Sequence, residues 1–445
     1  MAITKTAEGL KRVVGIQGLT LAIVNGVIGA GIFALPGIVG VQLGAFAIFG
    51  YIFCSIMLAA IMLCYAEIGS RVTTSGGSYA YVEAAFGHFP GYIINWLYFF
   101  GWNVLGSAAL MNIIADSLAV IFPVFADPLI RGLLFFVLIG CMVLINIRGV
   151  SQGIRLVKLI TVIKLLPLLC IIIFGFSQVK TANLHWEHTP SLKTFSDTAL
   201  ILFFAFAGFE TSLAVSGEFK NPMRTVPVGI CLGGIVVLLI YLLLQTVTQG
   251  VLGANIVSFK DAPLAAVAER LVGPAGATIL LFTAAISCFG CVSADVMGTP
   301  RALFAGSNDG TFPKFLGKVH SKYSTPYLAL AAYGGLVCIF SISGGFKQLA
   351  VLASAAILLV YLAVILATVK LRKQQHETSA KTFRAPGGPA TPLIAIAAIS
   401  WLLSSLSKWE ILSTIIFIAS ICLIYFVTKK LKKEKIPGAV VKEIL

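Results

Sequence analysis

The chain has 445 residues, of which 58% are hydrophobic and only 11% charged, with a formal net charge of +15. A soluble domain of that length has too little interior to hide so much apolar surface, whereas a helix surrounded by lipid can be apolar all round. Composition therefore excludes a water-soluble fold and predicts an all-α integral membrane protein.

A spanning helix needs about 20 mostly apolar residues to cross a hydrocarbon core of about 30 Å. On that template twelve transmembrane helices are predicted, the first six over 16–42, 45–70, 92–123, 132–148, 155–178 and 196–217. The second six cover 226–250, 276–304, 326–344, 348–369, 390–406 and 410–428. A short apolar segment at 262–273, with Asp261 at its edge and Glu269 and Arg270 within it, reads as an extracellular surface helix.

Cytoplasmic loops accumulate Lys and Arg. With both termini cytoplasmic, 24 of the 32 basic residues fall in inside segments and seven in outside loops, leaving Lys164 within a span. The positive charge is thus mostly topology, and no nucleic-acid partner is implied. The terminal segments are a cytoplasmic stretch, 1–15, and a basic tail, 429–445. The run KKLKKEK (429–435) reads as a stop-transfer flank, with contact to anionic lipid as the other reading. The polar N-terminus and the long first apolar run do not read as a cleavable signal. All nine Cys lie in spans as small apolar residues, so no disulfide-linked partner and no thiolate metal site is expected. The five His all sit in loops, which argues against a buried metal or a His-based proton relay. No cofactor is called for.

Informative positions are those where a spanning helix should be uniform and is not. Span 1 contains Asn25, Gly26, Gly29, Ala30 and Gly31, with Pro36 and Gly37 close behind. Paired glycines weaken a helix and let backbone approach a ligand, although a small-residue packing face gives the same pattern. Span 6 contains Phe204-Ala205-Phe206-Ala207-Gly208-Phe209-Glu210, another mid-span glycine, now followed by an acid. Interruptions at matching positions of two halves point to a midplane binding site, and the spacing fits a five-plus-five inverted repeat, 16–178 and 196–369, with two further spans at 390–428. A broken span offers free N–H groups and a positive dipole end to a carboxylate, and free carbonyls to an ammonium. Two facing breaks suit a zwitterion, of which an α-amino acid backbone is the simplest.

Four stretches resemble the amino acid–polyamine–organocation (APC) transporter superfamily, in particular its bacterial amino acid permeases. They are GVIGAGIF (26–33), YAEIGSRVTTSGGSYAYVEAAFG (65–87), FAGFETSLAVSGEFKNPMRTVP (206–227) and TPRALFAGSNDGTFPKFLGKVHSKYSTP (299–326). The resemblance implies a core of two inverted five-helix repeats plus two extra helices in the bacterial plasma membrane. It places a substrate carboxylate on the backbone of Gly29, Ala30 and Gly31 and the amine at the carbonyls of Phe204 and Ala207. The Phe204 ring becomes a lid over the substrate, and Asn103 in span 3 matches a side-chain-pocket position.

Charges at membrane depth are costly, so each is a functional candidate. Lys164 lies mid-span in TVIKLLPLL. Burial disfavours its charged form, so it can load and release a proton; the resemblance puts it where related sodium-coupled transporters hold an ion. The competing reading is a permanently charged lysine bridging span 1 carbonyls to span 8. Lys158, nearer the cytoplasmic end, reads as a topology charge. Glu210 either couples protonation to binding or caps the N–H groups after the break. Asp295 in span 8 either faces a cationic substrate side chain, pairs with Lys164, or bonds a polar group on a neighbouring span; the family position is often aromatic or small. With Phe204, Asn103 and Ser354, Asp295 would line a pocket of mixed character. Asp116 and Glu67 read as interfacial.

The expected function is secondary active amino acid transport by alternating access, coupled to protons, in a monomer or homodimer. Amino acid or polyamine exchange for cationic substrates is the mechanistic rival. A receptor would need room for a soluble signalling domain, a channel a filter of carbonyls or charge rings, and an intramembrane enzyme a catalytic constellation. None of these is visible.

Overall fold

The computed structural model describes residues 14–29, 31–72, 76–148, 153–186, 189–213, 219–308, 312–323, 325–374 and 383–434. The polar backbone groups of a chain in lipid must pair internally, and here they do so in helices. In chain order these are α1 (Ile16–Val27), α2 (Gly31–Leu43), α3 (Ala47–Arg71), α4 (Ser78–Phe86), α5 (His88–Trp96) and α6 (Leu105–Ile121). They continue with α7 (Pro128–Arg148), α8 (Gly153–Gly175), α9 (Leu192–Leu202), α10 (Pro222–Leu252) and α11 (Pro263–Val272). The last five are α12 (Pro274–Asn308), α13 (Tyr327–Ser343), α14 (Phe346–Gln374), α15 (Ala390–Leu403) and α16 (Lys408–Glu434).

Among the described residues, eight helical stretches are long and apolar enough to cross a bilayer. Four shorter apolar helices, Ile16–Val27, Ile163–Gln178, Tyr327–Ser343 and Ala390–Leu403, accompany them. Helices α7 and α16 lie at the perimeter, with Leu129, Leu133 and Phe136 of one and Ile416, Leu423 and Phe426 of the other exposed. Side chains this apolar on the outside require a lipid solvent. Towards the interior, α10 packs on α1 and α3, and α12 on α6.

The segment expected on the surface at 262–273 is α11, and only its charged end fits that expectation. Pro263 to Ala268 are buried, packed against α12 and α2, while Glu269 and Arg270 are exposed. Glu67, expected to be interfacial and not catalytic, is 0% exposed. Its Oε1 accepts from Arg71 (2.7 Å) and from Arg372 Nε (2.9 Å) on α14. Its Oε2 accepts from Arg372 Nη2 (2.5 Å) and from the Ala385 N–H (2.9 Å). One carboxylate thus ties α3 to the end of α14 and to the chain leading into α15. Removing one partner of such a cluster leaves buried charge uncompensated, at about 3–5 kcal/mol. Glu67→Ala is expected to lower the thermal unfolding midpoint of the detergent-purified protein markedly, and an unchanged midpoint would contradict this account.

Candidate functional site

Two of the apolar stretches lose helical geometry mid-way. At the end of α1, Ile28 leaves the helix (φ −72°, ψ 78°), its N–H still bonded to Val24 O, and the Gly29 N–H turns back onto Val27 O at 2.7 Å. Ala30 lies outside the described residues, and α2 begins at Gly31. The second interruption follows α9. A single 3-10 turn, Phe203–Ala205, gives way to Gly208 at φ +115°, and the chain resumes as a 3-10 turn over Phe209–Leu213. A positive φ of this kind is open to glycine and strained for other residues.

The two interruptions touch. A Cβ built on Gly208 would lie 2.7 Å from Gly26 O, and one on Gly26 would lie 3.1 Å from Gly208 O. A Cβ on Gly31 would sit 2.9 Å from both Cα and Cβ of Ala205. Gly26 and Gly31 thus serve close backbone approach, in keeping with the packing reading, and that approach brings the two breaks together.

The junction is open on one side and closed on the other. Gly26 and Thr211 are exposed, and Asn25, Gly29, Tyr98 and Trp102 are half-buried. On α12 the open face carries Cys291, Ala294, Asp295 and Gly298, spaced three and four residues apart along one side of the helix. On the other side Ile32, Phe33, Leu35, Pro36 and Gly37 are buried. A Cβ on Gly37 would fall 2.2 Å from Lys260 O, and one on Gly40 2.3 Å from Ile256 Cδ1, so the chain leading into α11 seals that end. A cavity of ≈ 70 Å³ survives there, bordered by Phe33, Ala34, Asp116, Lys260, Asp261 and Phe346. Small-molecule sites occupy about 300–1,000 Å³, so this residue of space holds no amino acid in the conformation observed. Asp116 at its edge pairs with Arg131 at 2.7 Å.

Lys164 of α8 is 1% exposed, and its Nζ donates to Asn25 O and Ile28 O, both at 2.7 Å. It lies beside Cys288 and Cys291 of α12. No ion pair joins it to Asp295 among the described residues, which sets aside that pairing. Lys158 has its side chain outside the described set.

Glu210 Oε2 accepts from the Gly208 N–H (3.0 Å) and from the Tyr361 hydroxyl of α14 (2.5 Å). Its Oε1 is buried without a hydrogen-bond partner among the described residues. The carboxylate therefore braces the turn at the break through Oε2.

Asp295 reaches across to α6. Its Oδ2 accepts from the Ser107 hydroxyl at 2.8 Å, Ser107 pairs with the Tyr333 hydroxyl at 2.9 Å, and Tyr333 donates to Asn103 O at 3.2 Å. This chain knits α12, α6 and α13 together.

Asn103 sits in a π-helical segment, Leu97–Val104, which the apolar run LYFFGWNV does not announce. Such segments free a carbonyl from the regular ladder. Asn103 Nδ2 donates to that of Tyr98 at 2.9 Å, so half of the amide serves the backbone. The Phe204 ring packs on Trp102 (centroids 5.6 Å apart) and Phe346 (5.8 Å), between the junction and the sealed end. Ser354 is fully buried on α14, its Oγ without a partner among the described residues. No group of three or more His, Cys, Asp or Glu poised to hold a metal occurs among the described residues.

Of the sequence-derived residues, the structure brings Gly29, Gly31, Phe204, Ala207, Lys164 and Glu210 to one junction. Asp295 and Asn103 form its flank. Sequence reading missed Ser107, Tyr333 and Tyr361; the only signal was a hydroxyl within an otherwise apolar helix.

A family profile described as amino acid permease matches residues 14–428. The serine/threonine exchanger of Bacillus subtilis is 28% identical over 89% of this chain and 92% of its own length. The branched-chain amino acid permease of the same organism is 27% identical over 96% and 95%. The cadaverine/lysine antiporter of Escherichia coli is 26% identical over 69% and 70%.

Proposed function

The chain belongs to the amino acid permease family, and from that premise we propose that it is a secondary active transporter moving an amino acid by alternating access. In this reading it is a multi-pass protein of the bacterial plasma membrane with twelve spans, both termini cytoplasmic, and two inverted five-helix repeats. The observation that carries the reading is the contact between the two interruptions, with the backbone of Gly26 and Gly208 face to face.

The carboxylate of a zwitterion is assigned to the backbone at Gly29, Ala30 and Gly31, the Gly29 N–H having to leave Val27 O, its partner in the described conformation, to reach the ligand. Its ammonium is assigned to the carbonyls of Phe204 and Ala207. Carbonyl supply supports this division: Asn25 O and Ile28 O already accept from Lys164, whereas Ala207 O accepts no hydrogen bond among the described residues. The Phe204 ring separates substrate from the sealed side, and Asn103, Ser354 and Asp295 border its side chain. In the assigned topology the open side is cytoplasmic, so the described conformation faces inward.

Lys164 and Glu210 are the proton-coupling candidates. Lys164 replaces a sodium ion under the first break, and Glu210 holds beside the second an oxygen with no partner among the described residues. Exchange is the rival mode, favoured by the exchanger and antiporter among the relatives; a cationic substrate is favoured by an acidic residue, the half-buried Asp295, on the open face.

Uptake of labelled amino acids into proteoliposomes containing the purified chain tests the reading. An imposed pH gradient should drive accumulation of at least one α-amino acid into empty vesicles. Uptake only into vesicles preloaded with substrate would select exchange instead. The absence of uptake under both regimes, across the common amino acids, would remove the transport assignment.

A further inference from the structure

The chain joining α12 to α13 is pinned at three points. Phe312 is buried against Trp96 (centroids 4.7 Å apart) and Phe99 (5.6 Å), and Leu316 is buried four residues later. The Thr325 hydroxyl donates to Ile147 O at 2.6 Å, one residue before the end of α7. His320 ties the turn between these anchors. Its backbone N–H donates to Thr325 O (2.9 Å), and its Nδ1 accepts from the N–H groups of Lys322 (3.2 Å) and Tyr323 (3.4 Å).

A loop anchored in this way presents a fixed outer surface, and two kinds of residue make it. Phe315 (56% exposed) and Val319 (48%) are apolar. Lys314, Lys318 and Lys322 stand exposed beside them at four-residue spacing, and 312–326 contains no Asp or Glu. None of the three ammonium groups forms an ion pair among the described residues. Water suits the lysines but not Phe315, and hydrocarbon suits Phe315 but not the lysines. The boundary between the two suits both. A lipid-facing surface reaches this place, since Leu144 and Ile145 of the perimeter helix α7 are exposed within one turn of Ile147. The loop continues that surface at its edge, where headgroups lie.

We propose that the α12–α13 loop is a docking site for anionic phospholipid. Phe315 and Val319 seat among the first acyl carbons, and Lys314, Lys318 and Lys322 meet the headgroup phosphates. A zwitterionic leaflet offers the same apolar boundary without net negative charge, so the lysines make the contact selective for anionic lipid. The loop starts where α12 ends, and α12 carries Cys291 and Asp295 on the open face. Docking therefore steadies the end of a helix that borders the proposed substrate route. That this end is cytoplasmic rests on the topology proposed above; the lipid contact itself does not.

Hydrogen–deuterium exchange of the full-length protein in lipid nanodiscs tests the contact. Discs of phosphatidylcholine alone are compared with discs in which about a third of the lipid is phosphatidylglycerol. Both leaflets have the same composition, so the orientation of the chain does not enter. Amides of 314–323 should exchange about fivefold more slowly in the anionic discs, while those of Thr181–Leu184 stay unchanged. High salt should erase the difference, because it screens exposed charges. The triple variant Lys314→Gln, Lys318→Gln, Lys322→Gln should exchange alike in both discs. Equal exchange of the wild-type loop in the two lipids overturns the proposal. So does a lipid effect that survives in the triple variant, which would assign it to another basic segment such as 429–435. Phe315→Trp gives a second reading. Its added emission, measured against wild type, should be quenched by phospholipid brominated on the acyl chain, and unquenched emission would put the ring in water and overturn the seating. Neither measurement involves transport, so failure here leaves the transport assignment standing, and failure of uptake leaves this contact standing.

Discussion

Replacing Lys164 with alanine is expected to abolish uptake driven by a pH gradient. The ammonium is buried between α8, α12 and the first break, and its two hydrogen bonds run to Asn25 O and Ile28 O at 2.7 Å. No carboxylate lies within ion-pair distance of it among the described residues, so its charge is balanced by backbone dipoles alone. That arrangement suits a proton carrier. Loss of the proton strands no partner carboxylate, and the neutral amine still has an N–H for each carbonyl. Alanine removes both the charge and the donors. Each orphaned carbonyl costs about 1–3 kcal/mol unless water reaches it, so the first break should also bind substrate less well. The two contributions separate in proteoliposomes. A proton role predicts that Lys164→Ala retains substrate exchange at raised KM while its net uptake no longer responds to pH. Loss of exchange as well assigns the lysine to the structure of the break. Uptake still stimulated by a pH gradient in Lys164→Ala refutes the proton role outright.

How far the sequence could be read depended on how local each signal was. Both breaks were legible because glycine at mid-span is a local anomaly: Gly29 and Gly31 stand in the run GVIGAGIF, and Gly208 precedes Glu210. Lys164, Glu210 and Asp295 stood out for the same reason, as ionisable residues among apolar ones. What they bond to was not legible. Asp295 had three candidate partners by sequence, and the choice of Ser107 depends on how α6 and α12 pack across 188 positions of chain. The partner of Glu67 was not legible either, because Arg372 lies 305 positions away and nothing nearby predicts it. The π-helical turn at Leu97–Val104 has the composition of an ordinary apolar helix, and its only local trace is the amide of Asn103. Tyr241 of α10 left still less: in a run of leucines an aromatic residue reads as filling, yet its hydroxyl donates to Val27 O (3.0 Å) and Ala205 O (2.8 Å).

Gly208→Ala is expected to eliminate both transport and the thermal shift produced by substrate. Two separate penalties converge on this position. The backbone sits at φ +115°, where a Cβ is strained by about 1–3 kcal/mol. The added carbon would also lie 2.7 Å from Gly26 O, a backbone atom that cannot rotate away. Relief requires the two breaks to part, and parting them separates the subsites assigned to carboxylate and ammonium. Gly26→Ala provides the graded comparison. Its Cβ would lie 3.1 Å from Gly208 O, and Gly26 has no positive φ, so a shift of a few tenths of an ångström relieves it. Uptake should therefore rank wild type above Gly26→Ala, and Gly26→Ala well above Gly208→Ala, with all three recovered as folded protein. Wild-type uptake by Gly208→Ala would mean that close approach of the breaks is dispensable, and the site would have to be sought elsewhere. The ranking follows from geometry alone: it is the same for any amino acid substrate and for either mode of coupling, because both require the two interruptions to meet.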